Sequence, residues 1–493
     1  MKKAIVIGSG FAGMSAATHL AKAGWDVTVL EKQSMPGGRG RKFSADGFTF
    51  DMGPSWYWMP DVFDRYFDLF GKKVSDYYKL IRLDPSYRVY YENDFIDIPS
   101  NYIALQALFE SIEVGSSKKL DVFLAEAEYK YKVGIQKLVH KPSRSITEFA
   151  DWDLVKGLFK LDVFTSMKQH VRSYFTNPKL IQLMEFPVLF LGALPKDIPA
   201  LYSLMNYADI KLGTWYPMGG MFNIADAMHQ LAESLGVRFI FNADVQSLEI
   251  VDGKAKNAVA HINGQSVSFD ADVVVGAADY HFIETSLLPQ KYQSYDAAYW
   301  DKRVMAPSSL LYYVGLNKKL QNVTHHSLFF DVDFEKHGDE IYAHPQWPTE
   351  PLFYVSVPSV TDPSVAPDAC ENLFFLIPVA AGLEGDDEAL RTVYFEKILK
   401  RYEQKIGQQI SDAIIYKKSY AVQDFKQDYN AFKGNAYGLA NTLMQTAILK
   451  PSLKSKKINN LFYTGQLTVP GPGVPPSLIS GEVVSKEIIK QFK

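Results

Sequence analysis

Gly8, Gly10 and Gly13 stand together in the stretch "AIVIGSGFAGMSAATHLAKAGWDVTVLEK", and Glu31 follows eighteen residues beyond the third glycine. This spacing suits the pyrophosphate of a dinucleotide. The first glycine makes a tight turn out of a strand, the second lets the backbone approach phosphate, and the third lets a helix pack against the strand. Ala12 lies in the same turn. A helix beginning there offers free N–H groups and a partial positive charge to the phosphates. A carboxylate at Glu31 accepts hydrogen bonds from a ribose 2′-OH and would repel a phosphate at that position. Lys32, next to it, completes this first set of candidate contacts. To position these groups the chain needs a buried strand over 4–7, a helix over about 11–23 and a second strand over 26–30, and its apolar pattern supplies all three. A glycine-rich strand-to-helix turn without a ligand is the competing reading.

The chain continues as "EKQSMPGGRGRKFSADGFTFDMGPSWYW", with a double glycine before Arg39 and a "DMGPS" turn at 51–55. This resembles the flavoprotein superfamily of amine oxidases, Rab escort and GDP-dissociation-inhibitor proteins, and carotenoid desaturases. The resemblance implies FAD as the cofactor and makes Gly38, Arg39, Gly53, Pro54 and Ser55 contacts along its pyrophosphate and flavin. The planar fork of Arg39 suits a phosphate or a reduced-flavin anion. A solvated basic turn with Arg41 and Lys42 is the alternative for Arg39.

A second block, "WYPMGGMFNIADAMHQLAESLGVRFIFNADVQSLEIVDGKAKNAVAHINGQSVSFDADVVVGAAD", reads as a turn, a helix over about 223–234 and a strand. A three-strand meander follows, with turns at Asp252-Gly253 and Asn263-Gly264, and then a buried strand over 273–275. In the superfamily the residue at Val245 pairs its main chain with the adenine. Gly219 and Gly220 are read either as a turn approaching the cavity or as an ordinary tight turn. The resemblance implies an α/β fold: a Rossmann-like FAD-binding domain of the amine oxidase/desaturase superfamily, interrupted by a mixed α+β substrate domain. The expected segments are 1–84, 212–280 and 449–493 for FAD, and 85–211 and 281–448 for substrate. The first substrate segment is expected to be mostly helical and to be associated with the membrane.

Two further stretches narrow the resemblance. "PLFYVSVPSVTDPSVAPDACENLFFLIPVAAG" reads as two strands around a loop rich in proline and aspartate. With "GALPKDIPALYSLMNYADIKLGTWYPMGGM" it is similar to the bacterial phytoene desaturase family, the flavin-dependent carotenoid desaturases. The likeness covers nearly the whole chain. It implies dehydrogenation of a C–C bond in an acyclic C40 carotenoid, with hydride passing to flavin N5 and a proton lost, and no metal. The ending "GQLTVPGPGVPPSLISG", in place of a "GAGTHPGAGIPG"-like tail, inclines the reading toward a terminal 3,4-desaturase of a hydroxycarotenoid over phytoene-type desaturation. Oxygen and a quinone both stand as electron acceptors. A non-covalent flavin amine oxidase and a non-enzymatic prenyl-group binder of the escort type are the alternatives; intact Gly8, Gly10, Gly13 and Glu31 argue against the binder.

The proline- and glycine-rich tail at 463–481 taken alone reads as linker. Within the family reading it becomes a strand over 461–464, a loop beside the flavin, and a helix starting near Pro475. There Gly465, Gly473, Val474 and Pro475 would meet the cofactor, and the helix N-terminus would face the pyrimidine end of the ring.

Composition limits the rest. With 52 Lys+Arg against 55 Asp+Glu there is no electrostatic footprint for nucleic acid. The lone Cys370 forms no internal disulfide and fits a reducing compartment, so a cytoplasmic place is expected. No apolar run approaches the roughly 18 residues that span a bilayer. A C40 hydrocarbon stays in the membrane, so peripheral attachment to its inner face is expected. The segment 151–175 is a candidate surface helix, with Leu154, Val155, Leu158 and Phe159 on one side and Lys156, Lys160, Lys168 and Arg172 off it; a core-packed helix gives the same stripe. The pair His325-His326 lacks further ligands at metal-binding spacing and reads as loop.

Overall fold

A computed structural model describes residues 1–145, 148 and 161–493. Five strands, Lys3–Ile7, Asp26–Leu30, Arg238–Ile240, Val273–Gly276 and Leu461–Tyr463, form one parallel sheet. Their order places Lys3–Ile7 in the centre, with Val273–Gly276 and then Leu461–Tyr463 on one side and Asp26–Leu30 and then Arg238–Ile240 on the other. Both faces are covered, which is why these strands read as continuous apolar runs. Side chains alternate between the faces. Ala4, Val6, Val27 and Val275 pack with Leu20, Val484 and Ile488. Ile5, Ile7 and Val274 pack the opposite way, against Leu248, Tyr280 and Trp300.

Three helices flank this sheet: Phe11–Lys22, Phe222–Ser234 and Val474–Gln491. The first and last meet closely at Gly481, where a Cβ would lie 2.5 Å from the Ala12 carbonyl oxygen and 2.6 Å from Ser15 Cβ. The meander forms a separate antiparallel sheet of Asp244–Val251, Lys254–Ile262 and Gln265–Asp270. Its two turns adopt left-handed backbone at Asp252 and Gly253 and again at Asn263 and Gly264, as two-residue hairpins require.

A second large sheet has seven strands. Ser308–Leu316, Glu371–Val379, Phe353–Ser356 and His326–Phe329 form its middle, Ile414–Tyr420 lies at one edge, and Tyr87–Tyr90 with Phe95–Ile98 complete the other. The segment 85–211 is therefore not helical from its start. Its first two strands join this sheet, Tyr87–Tyr90 running parallel to His326–Phe329. Helices follow from Tyr102–Ile112 and Ser116–Gln136 onward.

His326 opens a strand and His325 precedes it, both buried, so the expected loop at this pair is corrected. Of the proposed surface helix, 151–160 lies outside the described residues. The helix that is described runs Met167–Tyr174, started by a capping box between Ser166 and Gln169. Its cations face carboxylates: Lys168 lies 2.6 Å from Glu335, and Arg172 3.2 Å from Glu185. Among the described residues no helix is long and apolar enough to cross a membrane.

Candidate functional site

A cleft with about 1060 Å³ of empty space opens at the C-terminal ends of the parallel strands, where open α/β sheets bind ligands. Gly8, Gly10, Ala12, Glu31, Lys32, Gly38, Arg39, Val245 and Gly465 all line it. The three fingerprint glycines do distinct work. Gly8 has φ of +101° and turns the chain out of the strand. Gly13 allows close packing, since a Cβ there would stand 2.1 Å from the Gly8 carbonyl oxygen. Gly10 differs: a Cβ there would meet nothing within 4 Å, so any side chain would project into open space on the wall of the cleft. No side chain caps the helix that starts beyond Gly10, and its first turn carries no acidic residue. Its N–H groups and positive dipole end are available to an anion.

Glu31 is held in place from two sides. Ser9 N–H and Oγ both donate to its Oε2 at 2.7 Å, and Gln33 N–H donates to Oε1 at 2.8 Å. Each carboxylate oxygen can accept more than one hydrogen bond, so capacity for a hydroxyl donor remains. Val245 sits where the pairing of Asp244–Val251 with Lys254–Ile262 is irregular, between Val245 and Ser247.

The neighbours of Arg39 come from distant parts of the chain. Its Nη2 donates to the Asn435 carbonyl at 3.2 Å, and its guanidinium lies 5.2 Å from the Tyr429 ring centre. Its Nε is buried without a hydrogen-bond partner among the described residues. Burial pulls the guanidinium below its ordinary value, and the Asp279 carboxylate opposes this. Arg41 pairs with Asp428 at 2.7 Å, and the Lys42 ammonium stands 4.7 Å from the Phe222 ring centre. This geometry replaces the solvated basic turn. Asp279, Asp428, Tyr429 and Gln466 also line the cleft, and the sequence reading assigned none of them. Only Asp279 carried a local signal, as the acidic residue just past the buried strand Val273–Gly276.

The remaining predicted contacts surround the cleft without lining it. Gly53 backs Arg39, for a Cβ there would stand 2.4 Å from the Arg39 carbonyl oxygen. Pro54 follows, and Ser55 lines a second, smaller cavity with Asp51, Tyr216, Gly220 and His325. Asp51 is pushed up to about 6 by burial, against the pull of hydrogen bonds from the Met221 and Phe222 N–H groups. Gly473, at φ of +109°, begins the C-terminal helix, with Pro475 in its first turn. Val474 packs with Phe11 and Met14, and Ser477 reaches the cleft one turn on.

The tail is a built structure, and its role as linker is thereby excluded. Thr464 Oγ1 pairs with Ser480 Oγ at 2.9 Å, Gly465 N–H donates to that same Oγ at 3.1 Å, and Thr468 N–H donates to the Gly465 carbonyl at 3.0 Å. Beside the smaller cavity stands an aromatic wall. Trp56 stacks on His326 with ring centres 4.2 Å apart, and Trp58 and Tyr87 lie against Trp56. Burial holds His325 down to about 3 and His326 well below its ordinary value, so both rings are neutral. Their Nδ1 atoms pair with Thr361 and Tyr354. Elsewhere Glu126, Asp162 and His170 bring their ligand atoms within 4.8 Å of one another, and the Lys130 ammonium lies 2.8 Å from Asp162.

An uncapped helix end, a glycine wall and an Arg Nε that has no partner among the described residues suit a dinucleotide. The chain belongs to the family of flavin containing amine oxidoreductases, whose pattern matches residues 11–489. Within that family its similarities are narrower. It is 42% identical over 489 residues to the carotenoid 3,4-desaturase of Haloarcula japonica, covering 99% of this chain and 98% of that one. It is 30% identical over 494 residues to the zeta-carotene-forming phytoene desaturase of Myxococcus xanthus, covering 99% of this chain and 94% of that one. Among solved structures, an oxidoreductase from Methanosarcina mazei superposes with a TM-score of 0.65 over 98% of this chain and 100% of its own, at 16% identity, a likeness of fold. The residues present fit FAD. Gly10 would leave room for a pyrophosphate, Arg39 Nε would be available as a donor, and Glu31 would be an acceptor for a ribose hydroxyl.

Proposed function

We propose that this chain is an FAD-dependent carotenoid desaturase that dehydrogenates a C–C bond of an acyclic C40 carotenoid, at the terminal 3,4 position. The observation that carries the reading is the 42% identity along nearly the whole chain to a carotenoid 3,4-desaturase, on a chain whose dinucleotide cleft is intact. Bound FAD would supply the two-electron oxidising power. Gly8, Gly10, Ala12 and Gly38 would hold the pyrophosphate through main chain and open space, with Arg39 as its paired donor. Glu31 would take the ribose hydroxyl, with Lys32 beside it, and Val245 the adenine edge. Gly53, Pro54 and Ser55 would border the ring from one side, and Gly465, Gly473, Val474 and Pro475 from the other. Segments 1–84, 212–280 and 449–493 would thus serve the cofactor, and 85–211 and 281–448 the substrate.

The aromatic wall would exclude water and hold a flat polyene by stacking. Neutral His325 and His326 suit it, because a charged ring facing a hydrocarbon would carry a large desolvation cost.

The substrate reading also calls for the membrane. Each buried CH₂ favours an apolar phase by ~0.8 kcal/mol, so a carotenoid remains in the bilayer and the enzyme meets it there. We place peripheral attachment, at the inner face, on the exposed apolar residues Leu443, Met444, Ile448 and Leu449, the last two in the turn Ala447–Leu449. Gln445, within that stretch, bonds both backbone groups of Val304, itself exposed.

The test is incubation of FAD-loaded protein with liposomes carrying acyclic carotenes or hydroxycarotenes. Products with longer conjugation absorb further to the red. Their absence from every liposome would overturn desaturation.

A further inference from the structure

Lys450 and Asn441 are 5% and 3% exposed, and among the described residues neither Lys450 Nζ nor Asn441 Oδ1 has a hydrogen-bond partner. They face the same spot. A Cβ on Gly471, in the proline- and glycine-rich loop, would point to within 3.1 Å of Asn441 Oδ1, 3.3 Å of Asn441 Nδ2 and 3.4 Å of Lys450 Nζ. A cationic donor and an amide thus crowd up against this glycine, where even a Cβ would stand in close contact with both. Chain neighbours Ala440, Leu453 and Val469 belong to the large apolar core, so the two polar groups stand in hydrocarbon-like surroundings.

A buried donor without a partner is costly unless a ligand meets it. Lys130 supplies the contrast: it is fully buried but pairs with Asp162 at 2.8 Å and donates to the Ala200 carbonyl at 3.3 Å. Burial alone, with no charged group contributing, pushes the Lys450 ammonium down to about 7. An ammonium only donates, and an amide oxygen only accepts. A hydroxyl does both, so one alcohol oxygen would satisfy the pair, taking a hydrogen bond from Lys450 and giving one to Asn441.

We propose that Lys450 and Asn441 form a receptor, at the Gly471 turn, for a hydroxyl at the end of the substrate's polyene chain. The proposal rests on the desaturase reading and makes these two residues its specificity determinants.

The test uses FAD-loaded full-length protein and two acyclic carotenoids in liposomes that differ only in a terminal hydroxyl. Both binding and turnover are measured. The wild-type protein should favour the hydroxylated compound by roughly a hundredfold or more, as sites built to hydrogen-bond a substrate hydroxyl do. Lys450→Met and Asn441→Leu should each cut that preference to about tenfold or less through KM. The flavin absorption spectrum should stay unchanged, and the hydrocarbon's KM should move less than that of the hydroxylated compound. A thermal midpoint of Lys450→Met at or above that of the wild type would show that the fold survives. An unchanged preference in both variants would overturn the receptor. So would equal losses on both substrates with a shifted flavin spectrum, which would place the residues at the cofactor. Selective binding without product, lost in the variants, would sustain the receptor while overturning desaturation.

Discussion

The two large sheets of this molecule carry contrasting surroundings. At the end of the parallel sheet the wall is main chain: Gly8, Gly10 and Gly38 leave the backbone bare, and a helix end faces the cleft. Against the seven-stranded sheet stands a packed cluster of rings, with Trp56 stacked on His326 and Tyr354 behind. A pyrophosphate is recognised by dipoles and N–H groups that every residue carries, so what matters there is the side chain that is missing. A polyene would offer only area and polarisability, so in the proposed substrate half what would matter is ring upon ring. One surface should therefore fail when a single atom is added, the other when charge or polarity enters it.

The largest effect is expected at Gly13. With its Cβ position 2.1 Å from the Gly8 carbonyl oxygen, Gly13→Val should displace helix from strand and abolish soluble holoprotein, seen as loss of both flavin absorbance and cooperative melting. Gly10→Val sharpens the contrast, because its added atoms meet only open space. The apoprotein should melt within a few degrees of wild type while FAD affinity falls by about a hundredfold or more, measured by titration of the flavin band. Retained FAD would refute the placement of the pyrophosphate. Arg39→Met should weaken FAD binding by roughly ten- to a hundredfold, the range of one charge-assisted hydrogen bond.

On the aromatic side the expected signature is in pH. His325 and His326 have folded values pushed below the ordinary 6.5 by burial. The unfolded chain therefore binds more protons below that value, and stability drops as pH falls below about 6.5, by up to about 1.4 kcal/mol per pH unit for each ring that stays neutral in the fold. His326→Gln should flatten the fall of melting temperature between pH 6.5 and 4.5. An unchanged slope would show that the ring carries its proton in the folded state. The smallest effect is expected at the exposed apolar stretch. Leu443→Ser with Met444→Ser should cut sedimentation with liposomes by about tenfold and leave FAD affinity unaltered.

The contrast also explains how much could be read in the sequence. The strands over 4–7 and 26–30, the helix after Gly10 and both hairpin turns of the meander were legible, because each is set by glycine placement and apolar runs within about thirty residues. The strands Tyr87–Tyr90 and Phe95–Ile98 were missed: they pair with each other, but what seats the pair in the sheet is the contact of Tyr87–Tyr90 with His326–Phe329, more than two hundred residues along the chain. His326 read as loop for the same reason, since its burial comes from Trp56 and Tyr354.

By itself the sequence determined the glycine-rich strand–turn–helix at the cleft, because backbone conformation and helix ends are local properties of residue type. It also singled out Gly38, Arg39 and Gly465, which line that cleft. Only the tertiary structure decided what surrounds them. Asn435 and Tyr429 fold over Arg39, Ser480 ties down the turn at Gly465, and Lys450 Nζ and Asn441 Oδ1 converge on Gly471 with no hydrogen-bond partner among the described residues. Burial and the lack of a partner are relations between distant segments, and no local pattern of residues encodes them.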